Sequence, residues 1–116
     1  MLAEKLYEEG SGFAEAWNFG PDDNDAKPVR WIVEHLCSQV PNAAWQCGAS
    51  PQPHEANTLK LDSSKAKSRL GWRPRWNLQT ALGRTLDWHQ AWKDGADMAG
   101  VTLRQIQEYE AAAQQV

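Results

Sequence analysis

The sequence predicts a small α/β domain with about five helices and three short strands. Three observations lead to this fold class. The length of 116 residues suits a single domain. Apolar residues recur at helical spacing in several segments. Three short apolar or alternating runs lie between turn signals, as is typical of strands. We therefore expect one domain that spans residues 1–116.

The amino-terminal half is expected to hold two helices and the first strand. The first helix spans residues 2–9, with Leu2 and Leu6 on one side, and stops at the break Gly10-Ser11-Gly12. Residues 14–20, AEAWNFG, predict a buried strand that ends at Gly20-Pro21. Pro28 suits the first position of a second helix. An apolar stripe at i, i+3, i+4 spacing follows: Val29, Ile32, Val33, Leu36, Cys37 and Val40.

The remaining elements follow in the second half of the chain. Residues 43–48, AAWQCG, and 58–62, TLKLD, predict the second and third strands. Ser63 or Ser64 is expected to cap a helix of about two turns that stops at Gly71. Asn77 is expected to cap the longest helix, which ends near Gly95. The T-x-x-Q spacing of residues 102–105 predicts a capping box that opens the last helix.

The charge and hydropathy of the chain exclude several classes of protein. The 12 lysines and arginines against 15 aspartates and glutamates give a net charge of −3, so we expect no nucleic-acid partner. No apolar run reaches the roughly 18 residues that span a bilayer. The amino terminus, MLAEKLYEEG, lacks the layout of a signal peptide. We expect a cytoplasmic protein with no membrane partner.

The cysteines and histidines do not predict a metal site. Cys37 and Cys47 lie outside any C-x-x-C spacing, and we expect them to be reduced packing residues, with a disulfide between them left open. His35, His54 and His89 are scattered over three separate predicted elements. A structural metal needs further ligands at close spacing.

Several ordered landmarks between Ala16 and Trp92 carry a resemblance to a known family. They are AWNFGP at 16–21, KPVRWIVEHL at 27–36, PHEA at 53–56, LKLDSSKAKSRLGWRPRW at 59–76 and DWHQAW at 87–92. The segment resembles the C-terminal, substrate-binding domain of extended short-chain dehydrogenase/reductases that act on nucleotide sugars. The resemblance implies a linking helix at 1–10, a substrate-domain core at 14–95 and a C-terminal helix and tail at 96–116.

The parts of this family that perform the chemistry are absent from the sequence. Family members bind NAD on a Rossmann domain through a glycine-rich turn that leads into a helix. The only G-x-G here, at residues 10–12, leads into a predicted strand. Neither Tyr7 nor Tyr109 is followed by a lysine at the fourth position, as the family's catalytic pair requires. We expect no complete Rossmann domain, no bound NAD, no catalytic residue and no turnover by this chain alone.

The resemblance also implies candidate binding residues in the segment before residue 59. The family places a basic residue and a glutamate there, in contact with the nucleotide end of the substrate. The chain reads Gln52-Pro53-His54-Glu55, so the candidates are Gln52, His54 and Glu55. Glu55 can accept hydrogen bonds from ribose hydroxyls, whereas Gln52 lacks the positive charge. A solvated loop carboxylate at Glu55 explains the sequence equally well, and His54 is expected to be a loop residue.

Two other features leave their interpretation open. Lys65, Lys67 and Arg69 form either a phosphate-binding cluster or a solvated helix face. Most of the seven tryptophans lie at positions typical of a core. Trp31 falls off the apolar stripe of its helix and is expected to belong to a contact surface.

Two functions are compatible with the sequence. One is a truncated, noncatalytic relative of the substrate domain that binds a CDP-glucose-like nucleotide sugar weakly or complements a separate Rossmann domain. The alternative is a small structural or protein-interaction module that kept the fold and lost the ligand. In either case an open domain face favours a homo-oligomer, with Leu2, Leu6 and Trp31 near the contact.

Overall fold

The computed structural model describes residues 1–48 and 60–113, and these form five α-helices joined by turns and coil. Two 3₁₀ turns, Gly10–Gly12 and Asp23–Asp25, lie between the first and second helices. The helices are α1 Leu2–Glu9, α2 Val29–Gln39, α3 Ser64–Leu70, α4 Leu78–Lys93 and α5 Met98–Ala111.

The predicted α/β class is wrong, because no strand forms within the described ranges. Residues 14–20 are coil with one bend at Glu15, and residues 43–48 and residues 60–62 of the third predicted strand are coil. Residues 58 and 59 of that strand lie outside the described residues. A strand satisfies its backbone N–H and C=O groups only by pairing with a neighbour. None of these short runs lies beside another extended segment that pairs with it.

The capping signals around α3 and α4 are largely confirmed. Gly71 ends α3 with a left-handed φ of 65°, and the Asn77 side chain accepts a hydrogen bond from the Thr80 amide at 2.8 Å. The predicted serine cap of α3 is wrong in its details. Ser63 stands at the cap position without a capping side-chain bond. Instead, Asp62 accepts from the Ser64 amide at 2.8 Å.

The start of α5 is five residues earlier than the capping-box prediction. Asp97 caps the helix by accepting from the Ala99 amide at 3.2 Å. Thr102 and Gln105, the predicted box, lie inside the helix and connect it to α4. The Thr102 hydroxyl accepts from the Trp88 indole at 3.0 Å. The Gln105 amide donates to the Arg84 carbonyl at 2.9 Å.

Little of the apolar surface is buried. Among the described residues, Ala66 and Val101 are the buried members of the apolar set. The chain exposes 9009 Å², whereas a compact monomer of 13.0 kDa exposes about 6,300 Å². The α4/α5 hairpin is the main helix pair, and α1 packs on the turn that follows it. The amphipathic patterns therefore predict more buried apolar residues than these helices bury.

The tryptophans lie at partly exposed sites and not in one core. Trp72 meets Phe19 edge to face with ring centres 5.1 Å apart, and Trp76 meets Tyr109 in the same way at 5.1 Å. Trp92, predicted to be buried, is 57% exposed. No helix within the described ranges has the length and apolar character that a bilayer crossing requires.

Candidate functional site

An open, polar cavity of about 730 Å³ lies between the acidic turn after Gly20 and the segment that leads into α3. Its two walls come from parts of the chain about 40 residues apart. One wall is the 3₁₀ turn Asp23–Asp25 with its flanking residues, and the other is residues 60–64. Lys67 of α3 and Arg73 complete the lining.

The acidic wall is anchored to two helices. The Asp25 carboxylate accepts a hydrogen bond from the Leu78 amide at 3.1 Å, where the first turn of α4 leaves its N–H groups unpaired. Asp22 forms an ion pair with Lys67 on α3. The loop is therefore held between α3 and α4, and its position depends on both carboxylates.

The second wall is fixed by close packing beneath it. A Cβ atom at Gly20 would lie 3.1 Å from the Leu61 Cβ atom and 3.4 Å from the Ser63 hydroxyl oxygen. Only a glycine permits this approach without a shift of Leu61. Ser63 is 5% exposed, so it belongs to the floor and not to the open surface. Two hydrogen bonds from Ser64 to the Asp62 carboxylate lower the pKa of that carboxyl below its usual 3.8.

The cavity presents four carboxylates and three cations. The carboxylates of Asp22, Asp23, Asp25 and Asp62 face Lys60, Lys67 and Arg73. Lys60 lies 3.6 Å from Asp23, and both side chains are exposed. Within residues 1–48 and 60–113, the Arg73 guanidinium makes no ion pair or side-chain hydrogen bond. Carboxylates accept hydrogen bonds from neutral hydroxyls, and a guanidinium binds oxyanions. The lining thus suits a ligand that carries hydroxyls.

No cluster of three or more potential metal ligands occurs among the described side chains. Cys37 is half-buried and Cys47 is exposed, and both are free thiols. His35 stacks on Trp31 with ring centres 5.0 Å apart, and His89 lies 5.6 Å from Trp92. None of these side chains lines the cavity.

A known enzyme matches this chain over nearly its whole length. CDP-glucose 4,6-dehydratase of Salmonella typhimurium is 47% identical over 113 residues, which are 97% of this chain and 32% of the relative. No family model matches the chain. The chain is a homologue of one part of this dehydratase. The predicted resemblance is therefore confirmed, and the chain spans about a third of the length of the relative that it matches.

The site residues predicted from the dehydratase resemblance lie outside the described residues. Gln52, His54 and Glu55 belong to the interval between residues 48 and 60, so their prediction stays a prediction. The chain is described again from Lys60, and Lys60 lines the cavity. Sequence reasoning missed the cavity itself, because it assigned no role to the residues between the Gly20-Pro21 turn and Pro28. The available signal was the run of acidic residues directly after the Gly20-Pro21 turn.

The basic cluster of α3 has a structural task in this fold. Lys65 and Arg69 both form ion pairs with Glu15, and Lys67 pairs with Asp22. Lys65 and then Arg69 lower the pKa of the Glu15 carboxyl below its usual 4.5. The cluster is thus engaged in holding residues 12–22 against α3. The purely solvated interpretation is therefore wrong, whereas phosphate binding by the cluster stays a prediction.

The three residues predicted for an oligomer contact are only partly exposed or already in contact with neighbours. Leu2 is half-buried and Leu6 is exposed on α1. Trp31 is half-buried and its ring lies flat on His35. Oligomer formation through these residues stays a prediction.

Proposed function

We propose that this chain is the nucleotide-sugar-binding part of a dehydratase that acts on CDP-glucose, and that it works together with a separate NAD-binding part. The observation that supports this proposal is the 47% identity to CDP-glucose 4,6-dehydratase, which extends over 97% of the chain. The match covers only 32% of that enzyme. The binding function is therefore assigned to this part, and redox chemistry to residues outside it.

The charge of the cavity suggests which end of the substrate it receives. Four carboxylates outnumber three cations, so a diphosphate would be repelled by the lining as a whole. The uncharged hexose offers hydroxyl donors to Asp23 and Asp62 without that penalty. We assign the sugar to the cavity. Arg73 makes no ion pair with the described residues and lies on the lining, and we expect its guanidinium to meet the first phosphate oxygen that follows the sugar.

From the resemblance we expect the nucleotide end to lie next to Gln52, His54 and Glu55. In this arrangement, Glu55 accepts hydrogen bonds from the ribose hydroxyls. The residues of the chain thus bind and orient the substrate. Hydride transfer requires a nicotinamide that the NAD-binding part supplies. On this proposal the 116 residues have no turnover of their own.

Titration of the chain with CDP-glucose tests the proposal. A ligand that binds only the native state stabilises it by about 1.4 kcal/mol at ten times its Kd, which raises the melting temperature by several degrees. We expect the Arg73→Ala variant to need at least about five times more CDP-glucose than the unsubstituted chain for the same rise in melting temperature. Arg104→Ala is the matched control, because Arg104 is exposed on α5, remote from the cavity lining. Equal shifts in both variants would contradict the assignment of the cavity.

A structural or protein-interaction module is the second candidate function, and exposed apolar side chains favour it. Leu103 is 60% exposed and Ile106 is 48% exposed, both on α5. Apolar patches on a protein surface often mark contact sites. The absence of any shift with millimolar CDP-glucose, in a chain that melts cooperatively, would support this second function over the first.

A further inference from the structure

We propose that the apolar stripe of α2 is the docking surface for the part of the dehydratase that lies outside these residues. The stripe consists of Val29, Ile32, Val33, Leu36, Cys37 and Val40. The inference rests on the proposed function and adds to it the surface through which the two parts meet.

The stripe is regular in sequence but uncovered in the structure. No residue of α2 is buried. Val29 is 74% exposed and Val40 is 41% exposed, so both ends of the stripe reach solvent. The four residues between them are half-buried. Full burial of a valine or leucine side chain stabilises a protein by about 1.5–3 kcal/mol, and the half-buried and exposed residues of the stripe realise only part of this stabilisation.

The other described helices do not cover α2. The α4/α5 pair packs together, and α1 packs on its own following turn. On the opposite side of α2, Arg30 and Glu34 form an exposed ion pair at 3.9 Å, as expected for a solvated face. The helix is therefore amphipathic, with its polar side already in solvent and its apolar side without a partner in the described part of the chain.

The amount of exposed surface and the length of the relative indicate the occupant. The chain exposes about 2,700 Å² more than a compact monomer of its mass. Large, stable interfaces bury about 2,000–5,000 Å² summed over both partners, so this excess is ample for one side of such an interface. Roughly twice as many residues of the dehydratase lie outside the match as within it. A covering body of that size is sufficient to bury the stripe and leave the Arg30–Glu34 side in water.

A pair of variants tests the proposal in two settings. Leu36→Asp places a carboxylate on the stripe, and Ser38→Asp places the same group on the exposed side of the same helical turn. Each variant is made in the 116-residue chain and in a chimera, in which the chain replaces the matching region of the Salmonella dehydratase. The melting temperature and the mass in solution are measured for each protein.

We expect Leu36→Asp to differ from Ser38→Asp by less than about 2 °C in the isolated chain. In the chimera we expect Leu36→Asp to lower the melting temperature by at least about 5 °C more than Ser38→Asp, since a buried unpaired charge is strongly destabilising. Equal effects in the chimera, or a chimera that fails to fold without substitutions, would overturn the proposal. So would a dimer of the isolated chain that Leu36→Asp dissociates, because the occupant would then be a second copy.

The proposal about α2 and the proposed function fail in different ways. The melting temperature of the chimera reports docking without any substrate. A chimera that shows the Leu36→Asp effect but has no affinity for CDP-glucose would keep the docking surface and reject the binding function. A chimera that binds CDP-glucose but tolerates Leu36→Asp would keep the binding function and reject the docking surface.

Discussion

Replacement of Arg69 by methionine is expected to release residues 12–17 from α3. The Arg69 guanidinium donates to the Gly12 carbonyl at 2.9 Å and pairs with Glu15. It also lies 5.3 Å from the ring centre of Phe13 and 5.2 Å from that of Trp17. Methionine keeps the apolar stem and removes the charge and the donors. The variant therefore isolates what the guanidinium contributes.

The contacts set the size of the effect. A cation over an aromatic ring at an exposed site contributes about 0.5–1 kcal/mol, and a hydrogen bond to a carbonyl contributes about 0.5–1.5 kcal/mol. The Arg69 side chain is 43% exposed, so values near the lower limits apply. We expect the free energy of unfolding to fall by about 1.5 kcal/mol. For 116 residues, an unfolding entropy of about 2.1 cal/mol/K per residue converts this loss into a fall in melting temperature of about 6 °C.

Thermal unfolding followed by far-ultraviolet circular dichroism and by tryptophan fluorescence measures this change. Trp17 is among the tryptophans whose surroundings alter. Arg104→Met on the exposed side of α5 is the matched control. An Arg69→Met variant that melts within about 2 °C of the Arg104→Met variant would refute the view that α3 holds this segment.

The remaining predictions concern the helix ends and pH. Gly71→Ala should lower the free energy of unfolding by about 1 kcal/mol, because the residue has φ +65°. Gly83→Ala inside α4 should raise it by about 0.5–1 kcal/mol, since no atom lies within 4 Å of the added Cβ. Thermal melts of the two variants test this pair. Asp97→Ala should cost about 1 kcal/mol through loss of the α5 cap, and unchanged helicity and melting temperature would contradict the start of α5 given above. Because the pKa of Asp62 is lowered, the contribution of this carboxylate to stability is complete above the usual pKa of 3.8 and is lost as the pH falls below that pKa. The melting temperature of Asp62→Ala should therefore fall less steeply between pH 5 and pH 3 than that of the unsubstituted chain.

Features that depend on residues a few positions apart were predicted well from the sequence. The bounds of α1, the cap at Asn77 and the left-handed Gly71 all follow from local backbone chemistry. The start of α5 was missed although its signal is also local. Asp97 precedes the helix and is a good capping residue, but the T-x-x-Q pattern led to a predicted start at Thr102.

The candidate cavity was not predictable in the same way. Its walls come from residues 21–25 and 60–64, and their approach depends on the missing Cβ of Gly20 and on the bond between Asp25 and the start of α4. Each of these two segments by itself has the composition of an ordinary loop. What the sequence did carry was the resemblance to nucleotide-sugar enzymes, which the match to the dehydratase confirms.

The wrong strand prediction and the exposed stripe of α2 show what periodicity in a sequence leaves open. A strand needs an extended neighbour for its backbone groups, and an amphipathic helix needs a surface against its apolar side. Periodicity in a sequence records these needs but does not say which part of a protein meets them. Under the proposal for α2, the larger part of the dehydratase covers the stripe, so the backbone amides of α2 should gain protection from hydrogen exchange in the chimera. The isolated chain should show no such gain, because its own described helices make no extensive contact with α2.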